Sequence, residues 1–153
     1  MCIAVIDTHL CRNFANNNFA GTLPATLSQL RSLSEFKCHD NQFEGKIPSL
    51  KGLQQAGEFE IGSNRFSGTI PADMVELPQL FSFDVSNNLL TGTLPSKLYK
   101  LKLLQRFIAG SNQLSGTIPE SLASLPMLGE LDLSSNYLTG AVPPVRPLVT
   151  WYE

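Results

Sequence analysis

Nowhere does this sequence approach the roughly 18 consecutive apolar residues that a membrane-spanning helix needs. Its opening, MCIAVIDTHL, lacks a basic start and meets Asp7 too soon for the apolar core of a signal peptide. Neither sign of charge dominates, since 11 Lys and Arg stand against 13 Asp and Glu, a net charge of -2 over 153 residues. That balance gives no nucleic-acid footprint and no strong preference for polyanions. Cysteine is scarce, with Cys2, Cys11 and Cys38 and none later. Cys2 and Cys11 either pair across the first turn, which suits an oxidising compartment, or stay free; connectivity is not readable from sequence. Zinc-ligand spacing, Gly-rich phosphate loops and basic-aromatic stripes are missing. Asn-x-Ser/Thr acceptors are missing too, although six of the asparagines are followed two places on by Phe or Leu for another reason.

That reason is a repeat. The stretch from Leu80 to Pro95, LFSFDVSNNLLTGTLP, recurs in frame around Asn17, Asn41, Asn64, Asn88, Asn112 and Asn136, at separations of 24, 23, 24, 24 and 24 residues. A period in this range marks a solenoid. Eight, five and three places before each Asn stand apolar residues: Leu33, Phe36 and Cys38; Ala56, Phe59 and Ile61; Leu80, Phe83 and Val85; Leu104, Phe107 and Ala109; Leu128, Leu131 and Leu133. The last two of each set are two apart, so they share one face of a strand. Parallel strands stack about 4.8 Å apart, which lets Phe36, Phe59, Phe83 and Phe107 touch as an internal aromatic spine. Cys38 sits at an inward position and reads as a buried small hydrophobe. Each repeat Asn closes a strand where the chain turns, and its amide both donates and accepts, so it can satisfy loop backbone groups. Six such amides form a ladder.

After the turn, Phe19, Phe43, Phe66, Leu90, Leu114 and Leu138 are expected to return to the core. A glycine and then a proline follow at fixed offsets, the glycines suiting a close backbone approach or a positive φ. Leucines spaced by three, such as Leu98 and Leu101, predict short helical turns on the convex side. One irregularity stands between Pro48 and Leu50, where the segment is a residue shorter than its counterparts and a slight local change of curvature is expected.

The frame LxxLxLxxNxLxGxIP resembles the plant-type leucine-rich repeat over roughly residues 9 to 147, with FSFDVSNNLLTGTLP and GELDLSSNYLTGAVP matching almost position for position. The resemblance implies an α/β-type repeat solenoid of about six repeats: a right-handed coil with a concave parallel β-sheet, a second short strand at each Gly-Thr-Leu or Gly-Thr-Ile, and convex 3-10 or short helices. It also implies the company of receptor-like kinases, receptor-like proteins and polygalacturonase-inhibiting proteins, which bind peptides, proteins or cell-wall-related partners on the inner surface. The motif is structural and carries no binding residue across. A single domain spanning 1–153 is expected: a degenerate first repeat or cap over 1–24, regular repeats over 25–143, and a tail or cap over 144–153. Such arrays need polar end caps, and the ends here either improvise them, with Trp151 and Tyr152 closing the core, or belong to a longer chain, the reading we favour.

Residues alternating with the core positions face out from the concave sheet. Six before each Asn they are Glu35, Glu58, Ser82, Arg106 and Glu130; four before, Lys37, Glu60, Asp84, Ile108 and Asp132. With Asp40 these columns hold seven acids against Lys37 and Arg106, while Arg31, Lys46, Lys51, Lys97, Lys100 and Lys102 lie on loops or the back. An acidic inner face favours basic partners, or serves only as a solvated surface. Phe81 and Ile108 project apolar groups beside these charges, the way interface hot spots are composed; for Phe81 the alternative is packing on a neighbouring repeat.

Chemistry finds little support. Cys38 and His39 are adjacent on a strand, so they point to opposite faces and make no nucleophile-base pair. Glu60 and Asp84 on neighbouring strands approach the separation of a glycosidase pair, but a repeat position that favours acids produces such neighbours automatically. Glu58, Glu60 and Asp84 fall short of the six or more oxygens of a calcium site. The sequence therefore predicts a non-enzymatic recognition module, without cofactor or metal, for a basic protein or peptide and not for nucleic acid. Its expected contacts are Glu35, Lys37, Glu58, Glu60, Phe81, Asp84, Arg106, Ile108 and Asp132. A scaffold subunit and a secreted enzyme inhibitor are the rival readings. With a signal peptide upstream, the module would be extracellular or at the cell surface.

Overall fold

The structure, a computed structural model, describes residues 11–144 and 150–152. Thirteen short strands occur among them: β1 (Cys11–Asn13), β2 (Ala20–Thr22), β3 (Glu35–Lys37), β4 (Gln42–Lys46), β5 (Glu58–Glu60), β6 (Arg65–Thr69), β7 (Ser82–Asp84), β8 (Leu89–Gly92), β9 (Arg106–Ile108), β10 (Gln113–Thr117), β11 (Glu130–Asp132), β12 (Tyr137–Thr139) and β13 (Thr150–Tyr152). The odd-numbered strands stack in sequence order as one parallel sheet, the concave one, and the even-numbered strands form the second. Single 3-10 turns over Ala25–Gln29, Ala72–Glu76, Leu98–Lys100 and Glu120–Ser124 close the coils on the convex side.

In the concave sheet the register follows the repeat, with Phe36 beside Phe59, Phe59 beside Phe83 and Phe83 beside Phe107. Their rings stack with centroids 5.4, 5.7 and 5.8 Å apart, and all four are buried. A second aromatic column runs through Phe19, Phe43 and Phe66 at 6.4 and 6.3 Å. Phe43 and Phe66 are buried, but Phe19 is 38% exposed, against the expectation that it returns to the core. It stands in the first of these coils, so Phe43 covers it from one side while Phe14 meets it only edge-on.

Asn41, Asn64, Asn88, Asn112 and Asn136 each bind the coil before them. The Asn88 Oδ1 accepts from the Phe66 N–H at 2.8 Å, while Nδ2 donates to the Ile61, Val85 and Ser86 carbonyls. Asn112 repeats this with the Leu90 N–H and the Val85, Ala109 and Gly110 carbonyls. Asn41, Asn64 and Asn136 follow the same scheme. Among the described residues, Asn17 donates to its own turn, to the Phe14 and Ala15 carbonyls. The residue before each of these asparagines is left-handed without being glycine: Asn16, Asp40, Ser63, Asn87, Ser111 and Ser135 have φ between 50° and 57°. Asn, Asp and Ser bear this conformation better than larger or β-branched residues.

The short segment after Pro48 has no 3-10 turn. The Asp73 carboxylate of the next coil instead accepts from the Leu50 N–H at 3.2 Å and the Ser49 hydroxyl at 2.5 Å. Tightening the coil presses its backbone onto the preceding one, and a Cβ on Gly52 would lie 1.6 Å from the Ser28 carbonyl oxygen. Cys2, and with it the Cys2–Cys11 pairing, lies outside the described residues, as do the side chains of Trp151 and Tyr152.

Three outcomes follow from this packing. Gly52→Ala should destabilise by about 3 kcal/mol or more, whereas Gly129→Ala, whose nearest neighbour is 3.8 Å away, should change little; urea unfolding midpoints compare them. Asn88→Ala strands one N–H and up to three carbonyls, costing at least about 3 kcal/mol, and Asn17→Ala should stay within about 1 kcal/mol in the same assay. Burial pushes the Cys38 thiol from 9.0 up to about 12. The unfolded thiol therefore loses its proton first, and this contribution to stability is complete below pH 9 and falls away toward pH 12. Alkylation at pH 8 followed by mass spectrometry should leave Cys38 unmodified until the chain unfolds.

Candidate ligand-binding face

Outward positions of the concave sheet fall into two rows across the strands. One row runs Glu35, Glu58, Ser82, Arg106, Glu130, and the other Lys37, Glu60, Asp84, Ile108, Asp132. Pleat alternation puts them on the face opposite Phe36, Phe59, Phe83, Phe107 and Leu131, so the core sets the geometry of the surface.

Two cations gather four carboxylates. Lys37 pairs with Glu58 and lies 3.8 Å from Glu60. Arg106 reaches across two strands, with contacts of 3.0 Å to Glu130, 3.1 Å to Asp84 and 3.7 Å to Glu60. Ser82 stands on β7, between β9 and β5, and its hydroxyl donates to Glu60 Oε1 at 3.1 Å. Its small side chain, 5% exposed, leaves room for that span. The hydrogen bond that Lys37 donates to Glu58 outweighs burial and holds the Lys37 pKa above the ordinary lysine value. Burial alone would lower the Arg106 pKa, but Asp84, Glu130 and Glu60 together raise it. Both cations stay charged at any physiological pH. Exposed ion pairs contribute little each; what this network does is fix side-chain positions across β3 to β11.

Toward the turns, two copies of one device appear. Asp84 Oδ1 accepts from the Ser86 N–H and hydroxyl at 3.0 and 2.7 Å, and Asp132 Oδ1 accepts from Ser134 at 2.9 and 2.7 Å. Each carboxylate leans over a glycine of the preceding coil: a Cβ on Gly62 would lie 2.9 Å from Asp84 Oδ1, and one on Gly110 2.7 Å from Asp132. At the first of the regular coils, His39 Nδ1 lies 2.8 Å from Asp40 Oδ2, and that contact lowers the Asp40 pKa.

Ile108 sits differently from the sequence reading, and Phe81 takes the alternative named there, packing on a neighbouring repeat. Ile108 lies between Asp84 and Asp132 in the register and is only 4% exposed, so it presents almost no apolar surface. Phe81 precedes β7, so it stands on the rim of the sheet, 37% exposed, with its ring over Gly57, where an added Cβ would lie 2.5 Å from Cε1. The others are brought onto one face. Sequence reasoning missed Ser82, Gly62, Gly110, Ser86 and Ser134 as partners of that face. The available signal was a lone Ser in a column otherwise charged, and Gly in one repeat facing Asp-x-Ser in the next.

The calcium alternative meets a physical obstacle, because Lys37 and Arg106 already occupy the space between Glu58, Glu60 and Asp84. For an acid-base pair, both Glu60 and Asp84 are held by the same guanidinium.

The Leucine Rich Repeat family model matches residues 79–101 and 103–125. None of the curated proteins matches the sequence. Solved structures do. The ectodomain of the Arabidopsis thaliana membrane receptor kinase GASSHO1/SCHENGEN3, in complex with Casparian strip integrity factor 2, is 39% identical with a TM-score of 0.83 over 86% of this chain and 16% of that one. The Arabidopsis receptor kinase HAESA ectodomain, in complex with an N-terminally extended IDA peptide hormone, is 33% identical with a TM-score of 0.85 over 92% of this chain and 24% of that one. The BIR2 ectodomain from Arabidopsis thaliana is 29% identical, with a TM-score of 0.76 over 90% of this chain and 70% of that one. The chain thus spans about a sixth to a quarter of the two receptor kinase ectodomains. With its frame repeated in phase, two stacked parallel sheets and these likenesses, the chain belongs to the plant-type leucine-rich repeat proteins.

Proposed function

We propose that this chain is a non-catalytic recognition module that binds a basic peptide or protein segment on its concave face, at the cell surface or outside the cell. The contacts are Glu35, Lys37, Glu58, Glu60, Asp84, Arg106 and Asp132, with Phe81 at the rim and Ile108 as part of the floor. The observation that carries the reading is the charge ratio of the central network, four carboxylates sharing two cations on one rigid sheet. Its acidic surplus attracts a cation, and its existing ion pairs hold the acids in place before a ligand arrives, lowering the ordering cost of binding. The likeness to ectodomains solved with peptide hormones supports a peptide as the ligand class.

The test uses a short synthetic peptide of alternating lysine and glycine. Glu60→Gln combined with Asp84→Asn keeps side-chain volume and the capacity to accept from Ser82 while removing two charges. Association rates measured by surface plasmon resonance at low and at physiological salt should fall, and their salt dependence should weaken, because steering comes from the screened field. Equal rates and equal salt slopes for parent and variant would remove the concave face as the binding surface.

A further inference from the structure

Among the described residues, three of the exposed large apolar side chains stand on successive coils on the side where the chain enters the concave sheet: Leu103 and Met127, exposed by 39 and 49%, and Phe81, two positions further along its coil where the following coils carry Gln105 and Gly129, exposed by 37%. Each stands where a coil leaves its convex arc and enters the concave sheet, Phe81 directly before β7, Leu103 and Met127 three residues before β9 and β11. Leu103 and Met127 occupy one repeat position in successive coils. Backbone bonds lace the three entries together, since Gln105 and Arg106 donate to the Phe81 carbonyl at 2.9 and 3.0 Å, and Gly129 and Glu130 to that of Gln105 at 2.8 and 3.0 Å.

Nothing in the solenoid requires apolar groups there. The equivalents of Leu103 in earlier coils are Ser32, Gln55 and Gln79, and those of Phe81 are Ser34 and Gly57. The apolar rim therefore begins with the coil of Phe81, and just inside it lie Ser82, Arg106 and Glu130, the far end of the charge network. Apolar anchors beside charges raise affinity by excluding water from the neighbouring ion pairs.

We infer that the rim of Phe81, Leu103 and Met127 is the apolar half of the same docking surface, and that its occupant is an extended peptide segment in which basic residues alternate with large aliphatic ones. This rests on the concave-face reading and adds the composition of the ligand. Charge complementarity selects this occupant: a second copy laid face to face would bring the same acidic network against itself. An extended strand places alternate side chains on opposite sides, so basic groups turn to the network and aliphatic groups to the rim.

Two synthetic peptides of equal charge test it, one alternating lysine with leucine and one alternating lysine with glycine, titrated by fluorescence anisotropy. The lysine-leucine peptide should bind about tenfold tighter. Leu103→Ser combined with Met127→Gln, residue types that earlier coils carry at this position, should abolish the difference while leaving the lysine-glycine affinity and Tm unchanged. If that variant lowers Tm, Leu103→Gln with Met127→Gln serves instead. Should both peptides bind alike and weaken alike in the Glu60→Gln/Asp84→Asn variant, the rim inference falls and the concave face stands. Binding of neither peptide overturns both. A parent that sediments as a dimer and becomes monomeric in the rim variant assigns the rim to self-association and overturns the inference.

Discussion

The structure depends on an amide that belongs to one coil and is satisfied by another. At Asn41, Asn64, Asn88, Asn112 and Asn136 the side-chain oxygen takes an N–H of the coil before, and the nitrogen spans carbonyls of both coils. Without it, every turn would bury peptide groups that neither water nor a regular ladder could reach. The left-handed residue preceding each asparagine belongs to the same arrangement, because it turns the chain so that the amide points inward. The phenylalanine spine then fills the interior these turns enclose.

Fixing the interior fixes the surface. Once Phe59, Phe83 and Phe107 face in, Glu58, Glu60, Asp84 and Arg106 have no choice but to face out, at strand spacing. Arg106 reaches past β7 to Glu60 on β5 because Ser82 in between is small. The face is thus an ordered charge network with four carboxylates to two cations, and Phe81, Leu103 and Met127 are exposed where the later coils enter it.

Much of this was legible in the sequence. The asparagine frame, the aromatic column and the two outward columns follow from period and pleat alone, because backbone geometry repeats identically in every coil. What differed did so where one coil meets another in a particular way. Ile108 looked outward by pleat, yet it is buried between the outward rows of the neighbouring strands, with Asp84 on one side and Asp132 on the other. For Phe81 the sequence left two places open, beside the charges or against a neighbouring repeat, and its ring lies over Gly57 of the coil before. Phe19 held a core position in the frame but lies at the end of its aromatic column. Seven acids against two bases can be counted in the sequence, but which acid each cation reaches depends on side-chain length and on the volume of the residue in between. A single repeat carries none of that information.

These pairings change what the unit of the molecule is. Gly57 exists in relation to Phe81, Gly62 to Asp84, Gly110 to Asp132, and Gly52 to the Ser28 backbone, each partner one coil away. A 24-residue module copied into another array would carry half of each pair and leave the other half behind. Transplanting or shuffling such units succeeds only when the cut falls inside a coil and the seam between neighbours moves whole. Sequence drift in this chain should accordingly be correlated at a lag of one period.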